Sequence, residues 1–154
     1  MDATRRIEEV LAERRIAVAG VSRNGDLPAN LIYKRFREAG YQVLAVNPAT
    51  DTVEGDPCWP DLASVPGTVN AVLAATPPQG TEALIRDCLR LGIPTVWIHR
   101  SFGRGSISSE AVQRGREGGM KVIVGGCPLM FVEPVDLAHR CMGWVLRKRG
   151  RIRA

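Results

Sequence analysis

The chain of 154 residues has few aromatic side chains and no long apolar run. Phe, Trp and Tyr together make up 5% of it, too few for a row that stacks on nucleic-acid bases. No apolar stretch approaches the ~20 residues that span a bilayer. Residues 1–15 are charged and lack the apolar segment of a secretory signal peptide. We therefore expect a cytoplasmic protein that does not enter a membrane.

Cysteine and histidine are also scarce, with four and two residues respectively. The cysteines form no CxxC pair, which argues against a zinc site and against a thioredoxin-like redox motif. No GxSxG motif is present to mark a nucleophilic serine. The sequence therefore predicts no metal site and contains no motif of established catalytic use.

Basic residues outnumber acidic ones, 21 to 16, for a net charge of +5. Such a balance favours anionic partners, either phosphorylated small molecules or nucleic acid. Part of the excess lies in Arg147–Arg149 and in a basic tail at 150–154. Since no DNA- or RNA-binding motif accompanies the tail, we interpret it as a solvated helix end, with nucleic-acid association as a third-ranked function.

Short apolar segments alternate with amphipathic ones along the whole chain. Together they predict an α/β fold: a Rossmann-like doubly wound parallel sheet of about five strands in three α/β/α layers, as one domain over 1–154. The predicted strands are 16–20, 43–46, 70–75, 95–98 and 121–124. The predicted helices are 2–15, 28–39, 79–91, 107–117 and 134–149, with at most a short helix at 60–65.

In such a sheet a ligand binds beyond the carboxyl ends of the strands, where the strand order reverses. The loop after the first strand nearly matches GxGxxG, with Gly20, Ser22 and Gly25 at the glycine positions. Serine replaces the glycine that admits a pyrophosphate, and Asn47 stands where an acidic residue would hold the NAD ribose.

Arg23 and the start of helix 28–39 add positive potential beside this loop. These features favour a phosphorylated nucleotide over NAD bound in the standard way. The alternative is that Gly20 and Gly25 only form a tight turn.

Several short segments, in one order over residues 14–130, resemble the small CoA-binding proteins of Rossmann type and the CoA-binding domain of the succinyl-CoA synthetase α subunit. They are Ile16–Ser22, Gly40–Val43, Val46–Pro48, Gly55–Leu62, Thr76–Pro78 and Cys127–Pro128. The resemblance implies that coenzyme A or an acyl-CoA binds along the first three loops. It implies Gly20, Ser22, Arg23 and Asn24 near the phosphates, Asn47 and Pro48 near the nucleotide, and a wall of Thr76, Pro77 and Pro78.

The chain departs from that family at three places. Ala29-Asn30-Leu31 replaces the usual serine and basic residues, so Lys34 or Arg35 would have to supply that phosphate contact. The segment after Cys127 is unusually apolar, and residues 134–154 extend beyond the small members. Because the synthetase's second, phosphohistidine domain has no counterpart here, we expect CoA binding without catalysis by this chain alone.

The remaining candidate residues each have a structural interpretation beside the functional one. Cys127 is either a thiol near the pantetheine end or a small buried residue, and we favour burial. Cys88 and Cys141 share helical faces with apolar residues, which predicts core positions. Cys58 precedes Trp59-Pro60 and is expected to be structural or exposed.

A histidine ends the fourth predicted strand, on the expected ligand edge. A triad of Ser101, His99 and Asp136 can be written, but spacing gives it no geometry. His139 and Asp136 form an ordinary helical pair. The loop 103–106 is either an anion-binding nest or a flexible loop with Ser106 as helix cap.

Two alternatives to CoA binding stay open: an NAD(P)-dependent oxidoreductase or other nucleotide-using enzyme, and the nucleic-acid-associated protein. The oligomeric state is also open, a homodimer included.

Overall fold

A computed structural model describes residues 3–100 and 105–150. Its seven-stranded sheet is mostly parallel and is flanked by five α-helices, which confirms the α/β, Rossmann-like prediction. The strands are β1 Arg15–Ala19, β2 Gln42–Val46, β3 Thr52–Val53, β4 Asp56–Trp59, β5 Ala71–Ala74, β6 Thr95–Ile98 and β7 Lys121–Val124. The helices are α1 Ala3–Ala12, α2 Pro28–Glu38, α3 Pro78–Leu91, α4 Ser109–Glu117 and α5 Leu137–Lys148, with a 3-10 turn at Pro128–Met130.

The strand order is β3-β4-β2-β1-β5-β6-β7. All neighbours pair in parallel except β3 and β4, which pair antiparallel. The chain moves outward from β1 through β2 to β4, then returns to the other side of β1 to form β5. The order therefore reverses between β1 and β5, and the crevice for a ligand is expected there.

Both faces of the sheet are buried, as the apolar strands predict. Along β1, Ile16 and Val18 pack in the core beneath α1, α2 and α5. Ala17 and Ala19 pack in the other core, beneath α3 and α4. The alternation of side chains along a strand thus fills two cores from one short segment.

The prediction for residues 51–66 was wrong in one respect. Instead of a helix at 60–65 it holds the β3–β4 hairpin, followed by turns. Strands of two and four residues at a sheet edge, one containing Pro57, carry almost no periodic signal. The hairpin accounts for the two strands beyond the expected five.

Helix ends also differ from the predictions, and the caps explain two of them. Helix α4 begins at Ser109 because Ser108, and not Ser106, accepts a hydrogen bond from the Ala111 N–H at 3.2 Å. Helix α5 begins at Leu137, after the capping residue Asp136, and not at 134. Within the described ranges no helix is long and apolar enough to cross a membrane.

Candidate functional site

The loops after β1 and β5 touch at the point where the strand order reverses. Gly20 has φ +100°, and a Cβ built on it would lie 2.4 Å from the carbonyl oxygen of Ala75. The Ala75 N–H donates to the Ala19 carbonyl at 2.9 Å. Only glycine fits this conformation and this approach, so Gly20 is fixed by the crossing of two backbones.

Beside Gly20 lies a cavity of about 440 Å³, which we call the switch-point cavity. Its walls come from the loops after β1, β2, β4 and β5 and from the first three turns of α3. It is lined by Ala19, Gly20, Val46, Asn47, Pro48, Pro60, Asp61, Leu62, Thr76, Pro77, Gly80, Ala83, Leu84 and Asp87. Proline and leucine side chains dominate, a lining that suits a flat, partly apolar ligand group.

The structure brings together most of the residues named from the sequence. Those that line the switch-point cavity are Gly20, Asn47, Pro48, Thr76 and Pro77. Pro78 lines a neighbouring cavity instead. Ser22, Arg23 and Asn24 line neither; they follow Gly20 in the same loop, with Arg23 and Asn24 exposed.

The loop after β1 is held from behind by a side chain that the sequence analysis did not select. Asn30 is fully buried; its Oδ1 accepts from the Ser22 N–H at 2.8 Å, and its Nδ2 donates to the Ser22 carbonyl at 2.7 Å. The Ser22 N–H therefore already has a hydrogen-bond acceptor within the protein. The available signal was a polar residue on the buried face of α2, at the position noted as a departure from the family.

Asn30 Nδ2 also donates to Glu54 Oε1 at 2.9 Å. Lys34 Nζ lies 3.7 Å from the same oxygen and donates to the Gly25 carbonyl at 3.3 Å. The charge of Lys34 is therefore partly balanced by a carboxylate. Arg35 donates to the Pro134 carbonyl, so it is directed toward the start of the C-terminal segment and not toward the loop.

Asn47 ties the β2 loop to the β1 loop. Its Nδ2 donates to the Val21 carbonyl at 2.5 Å, and its Oδ1 accepts from the Ala49 N–H at 2.8 Å. Its backbone N–H donates to the Trp59 carbonyl at 2.9 Å. Asn47 therefore fixes the shape of the cavity wall as well as lining it.

The wall at 76–78 is rigid for a local reason. Pro77 caps α3 and Pro78 is its first residue. At this position the missing N–H of proline removes no hydrogen bond of the helix. Thr76 Oγ1 lies 2.9 Å from Oγ1 of the buried Thr81, which is also 3.4 Å from the Pro77 carbonyl. The two hydroxyls thus anchor the wall to the helix.

Two carboxylates that were not predicted from the sequence line the switch-point cavity. Asp61 Oδ1 accepts from the N–H and the hydroxyl of Ser64, both at 2.8 Å, and these bonds lower the pKa of Asp61. Asp87 pairs with Arg90 at 3.2 Å. The cavity edge near Asn47 therefore carries negative charge, which Asp61 in the loop after β4 and Asp87 in α3 supply.

A second cavity, of about 580 Å³, lies between the first turns of α3 and α4. It is lined by Pro78, Gln79, Glu82, Arg100, Ile107, Ser108, Ser109 and Glu110. Ser108 Oγ donates to Glu82 Oε1 at 2.6 Å across it. Its lining is mainly polar, with charges of both signs.

Of the three residues of the suggested triad, His99 and Asp136 lie among the described residues. His99 is buried, which lowers its pKa and favours the neutral ring. Asp136 caps α5 and lies 2.6 Å from His139 Nδ1, in the helical pair expected from the spacing. Ser101, with Gly103 and Arg104 of the suggested nest, lies outside the described residues. The described residues contain no cluster of three metal-ligating side chains.

The burial of the four cysteines agrees with the prediction only in part. Cys88 is in the core, as expected, and burial raises its pKa to about 12. Cys58 and Cys127 are also buried, Cys127 just before the 3-10 turn. Cys141 is exposed, so its predicted core position was wrong. The apolar residues that share a helical face with Cys141 are Ala138 and Val145, and this face of α5 is not the one that packs on the core.

The comparison with known families gives a match to the CoA binding domain over residues 14–133. This chain belongs to the CoA-binding domain family. The match confirms the resemblance described from its loops and leaves residues 134–154 outside the family's shared region.

The relatives differ in how much of their own length this chain matches. The protein YneT of Bacillus subtilis is 28% identical over 122 residues, covering 79% of this chain and 87% of that protein. An ADP-forming acetate–CoA ligase of Archaeoglobus fulgidus is 26% identical over 109 residues, covering 70% of this chain but only 16% of the ligase. A solved structure of a Pyrococcus horikoshii protein superposes with a TM-score of 0.73 at 26% identity, covering 82% of this chain and 85% of that one.

Proposed function

We propose that this protein binds coenzyme A or an acyl-CoA at the carboxyl edge of its sheet, without catalysing a reaction alone. The observation that carries the proposal is the switch-point cavity, where Gly20, Asn47 and Pro77 from three separate loops meet. Membership of the CoA-binding domain family supports the choice of ligand. The similarity to part of an acetate–CoA ligase also supports a CoA ligand.

The lining of the cavity suits the adenosine end of such a ligand. Pro48, Pro60 and Pro77 offer rigid apolar surfaces, and Leu62 and Leu84 complete the wall. An adenine ring packed there would leave the pyrophosphate beside Ser22–Asn24. In that loop Arg23 is exposed, and the N-terminus of α2 adds partial positive charge.

Thermal unfolding with coenzyme A, NAD, NADP and ATP tests the choice of ligand. A ligand at ~100 times its Kd stabilises the fold by about 2.7 kcal/mol. For a domain of this size that raises Tm by roughly 5–10 °C. We expect this shift with coenzyme A and not with the other nucleotides; no shift with coenzyme A would overturn the proposal.

Charge reversal at Arg23 tests where the phosphates lie. We expect Arg23→Glu to weaken coenzyme A binding about tenfold, because it places a carboxylate beside the pyrophosphate. Arg23 is exposed, so the variant should fold normally. Titration calorimetry measures the affinity, with Arg86→Glu on the exposed side of α3 as the matched control. Equal affinities for the two variants would place the phosphates elsewhere.

One observation favours a second candidate, an adenine dinucleotide with a free ribose diol. Asp61 and Asp87 line the cavity, and a carboxylate there can accept hydrogen bonds from ribose hydroxyls. A thermal shift with NAD and none with coenzyme A would favour this candidate.

A further inference from the structure

Helix α5 packs on the body of the protein through one face. Gly143 and Leu146 are buried, and a Cβ on Gly143 would lie 3.5 Å from Met130 Sδ. Gly143 therefore lies directly beside Met130 of the 3-10 turn. This face accounts for the packing of α5 within the chain.

The opposite face of α5 is also apolar and largely exposed, although Lys148 Nζ lies over the Trp144 ring, 4.4 Å from its centre. Leu137 is 75% exposed and Trp144 is 58% exposed, more than any other large hydrophobic side chain described. Cys141 is exposed between them. Seven residues are about two helical turns, so these three side chains form one stripe, the α5 stripe. A helix that is apolar on two faces is normally buried on both.

The two ends of this helix carry opposite charges. Glu133 and Asp136 are exposed where it begins. Arg147, Lys148 and Arg149 are exposed where it ends. A second α5 laid parallel would bring like charges together, whereas an antiparallel one would bring each end beside its opposite, with the helix dipoles also opposed.

We propose that the α5 stripe binds the α5 stripe of a second copy of this chain, antiparallel and related by a twofold axis. Leu137 of each copy then faces Trp144 of the other. The same arrangement brings the acidic start of each helix, Glu133 and Asp136, beside the basic end of the other, and the two Cys141 side chains next to the axis. Arg140, also exposed near the axis, can extend into solvent.

The charge pattern selects this partner over an anionic membrane. A membrane would attract the arginines but repel the carboxylates at the other end of the same helix. A pair of single helices buries an area near the lower limit of specific interfaces, so we expect a dissociation constant in the micromolar range, about 1–50 µM.

Sedimentation velocity from about 1 to about 200 µM tests the dimer over the range where it should form. We expect the wild type to shift from monomer to dimer and Trp144→Glu to stay monomeric throughout. The control is Leu91→Glu, another exposed leucine, at the end of α3 on the other side of the sheet, which should dimerise normally. A monomeric wild type, or a dimer of Trp144→Glu, would overturn the proposal.

Two further variants test the antiparallel arrangement. Glu133→Lys and Lys148→Glu should each weaken the dimer about tenfold, while the double variant should restore it because the opposed charges are exchanged. Failure of the double variant to restore the dimer would contradict the antiparallel arrangement.

Cys141 offers a direct distance probe, since the other three cysteines are buried. Mild oxidation should produce a disulfide-linked dimer that is absent in Cys141→Ser. No cross-link at a concentration where the dimer forms would place the axis elsewhere. A monomer that instead cosediments with phosphatidylserine vesicles would assign the α5 stripe to a membrane. These experiments need no coenzyme A, so they stand apart from the proposed function.

Discussion

The two cavities on either side of residues 76–78 differ in origin more than in size. The switch-point cavity, about 440 Å³, is formed by the loops after four parallel strands and by a helix, and its lining is mainly apolar. The second cavity, about 580 Å³, lies between two helix starts and is lined by Glu82, Glu110 and Arg100. The smaller cavity lies where the strand order reverses. The position in the fold, and not the volume, is therefore the basis for the proposed nucleotide site.

The largest effect should come from the crossing that forms the wall of the switch-point cavity. We expect Gly20→Ala to lower the free energy of unfolding by about 3–5 kcal/mol, because its Cβ would collide with the Ala75 carbonyl. Gly55→Ala is the matched control, with φ +84° but open space around its Cβ; it should cost about 1–2 kcal/mol. Urea unfolding measures both. Equal losses would show that backbone conformation alone, and not the crossing, makes Gly20 necessary.

The next effect should come from the side chain behind this wall. Asn30→Leu removes the bonds to both backbone groups of Ser22 and should cost about 2–3 kcal/mol, since the Ser22 N–H loses its partner. Asn24→Ala should cost about 0.5 kcal/mol, because Asn24 is exposed. If both variants unfold at the same urea concentration, the loop is not held by Asn30.

A smaller effect is expected at His99, on the other side of the wall. His99 directly precedes Arg100, which lines the second cavity. Burial lowers the pKa of His99 below the ordinary 6.5, so the unfolded chain binds the proton more tightly than the folded one. This group's contribution is fully present above pH 6.5 and is lost as the pH falls toward the lowered pKa. The loss is at most about 1.4 kcal/mol per pH unit.

Urea unfolding of the wild type and His99→Gln between pH 5 and pH 8 measures this difference. The variant should lose less stability on acidification. Parallel pH profiles would show that His99 carries the same charge in both states.

The sequence predicted the central sheet well because five of its strands are short apolar runs between amphipathic helices. It failed at β3 and β4, which hold too few residues for a period of two to appear. It also misplaced Cys141, because α5 is apolar on two faces and periodicity does not say which face meets the core.

Loop glycines and prolines could be assigned to the site from their places after successive strands. Asn30 could not, since its role depends on the backbone of Ser22, eight residues earlier. Asp61 and Asp87 could not either, because a loop and the middle of α3 bring them to the cavity. A local pattern carries no information about such long-range contacts.

The most direct test of the account is the affinity for coenzyme A when each cavity is filled separately. Ala83 lines the switch-point cavity and Ser109 lines the second one, and both are exposed on helix surfaces. Titration calorimetry on Ala83→Trp should show at least a ~100-fold loss of affinity, because the indole occupies the space of the adenosine. Ser109→Trp should bind within about threefold of the wild type. The reverse order, or equal affinities, would contradict the assignment of the nucleotide to the switch-point cavity.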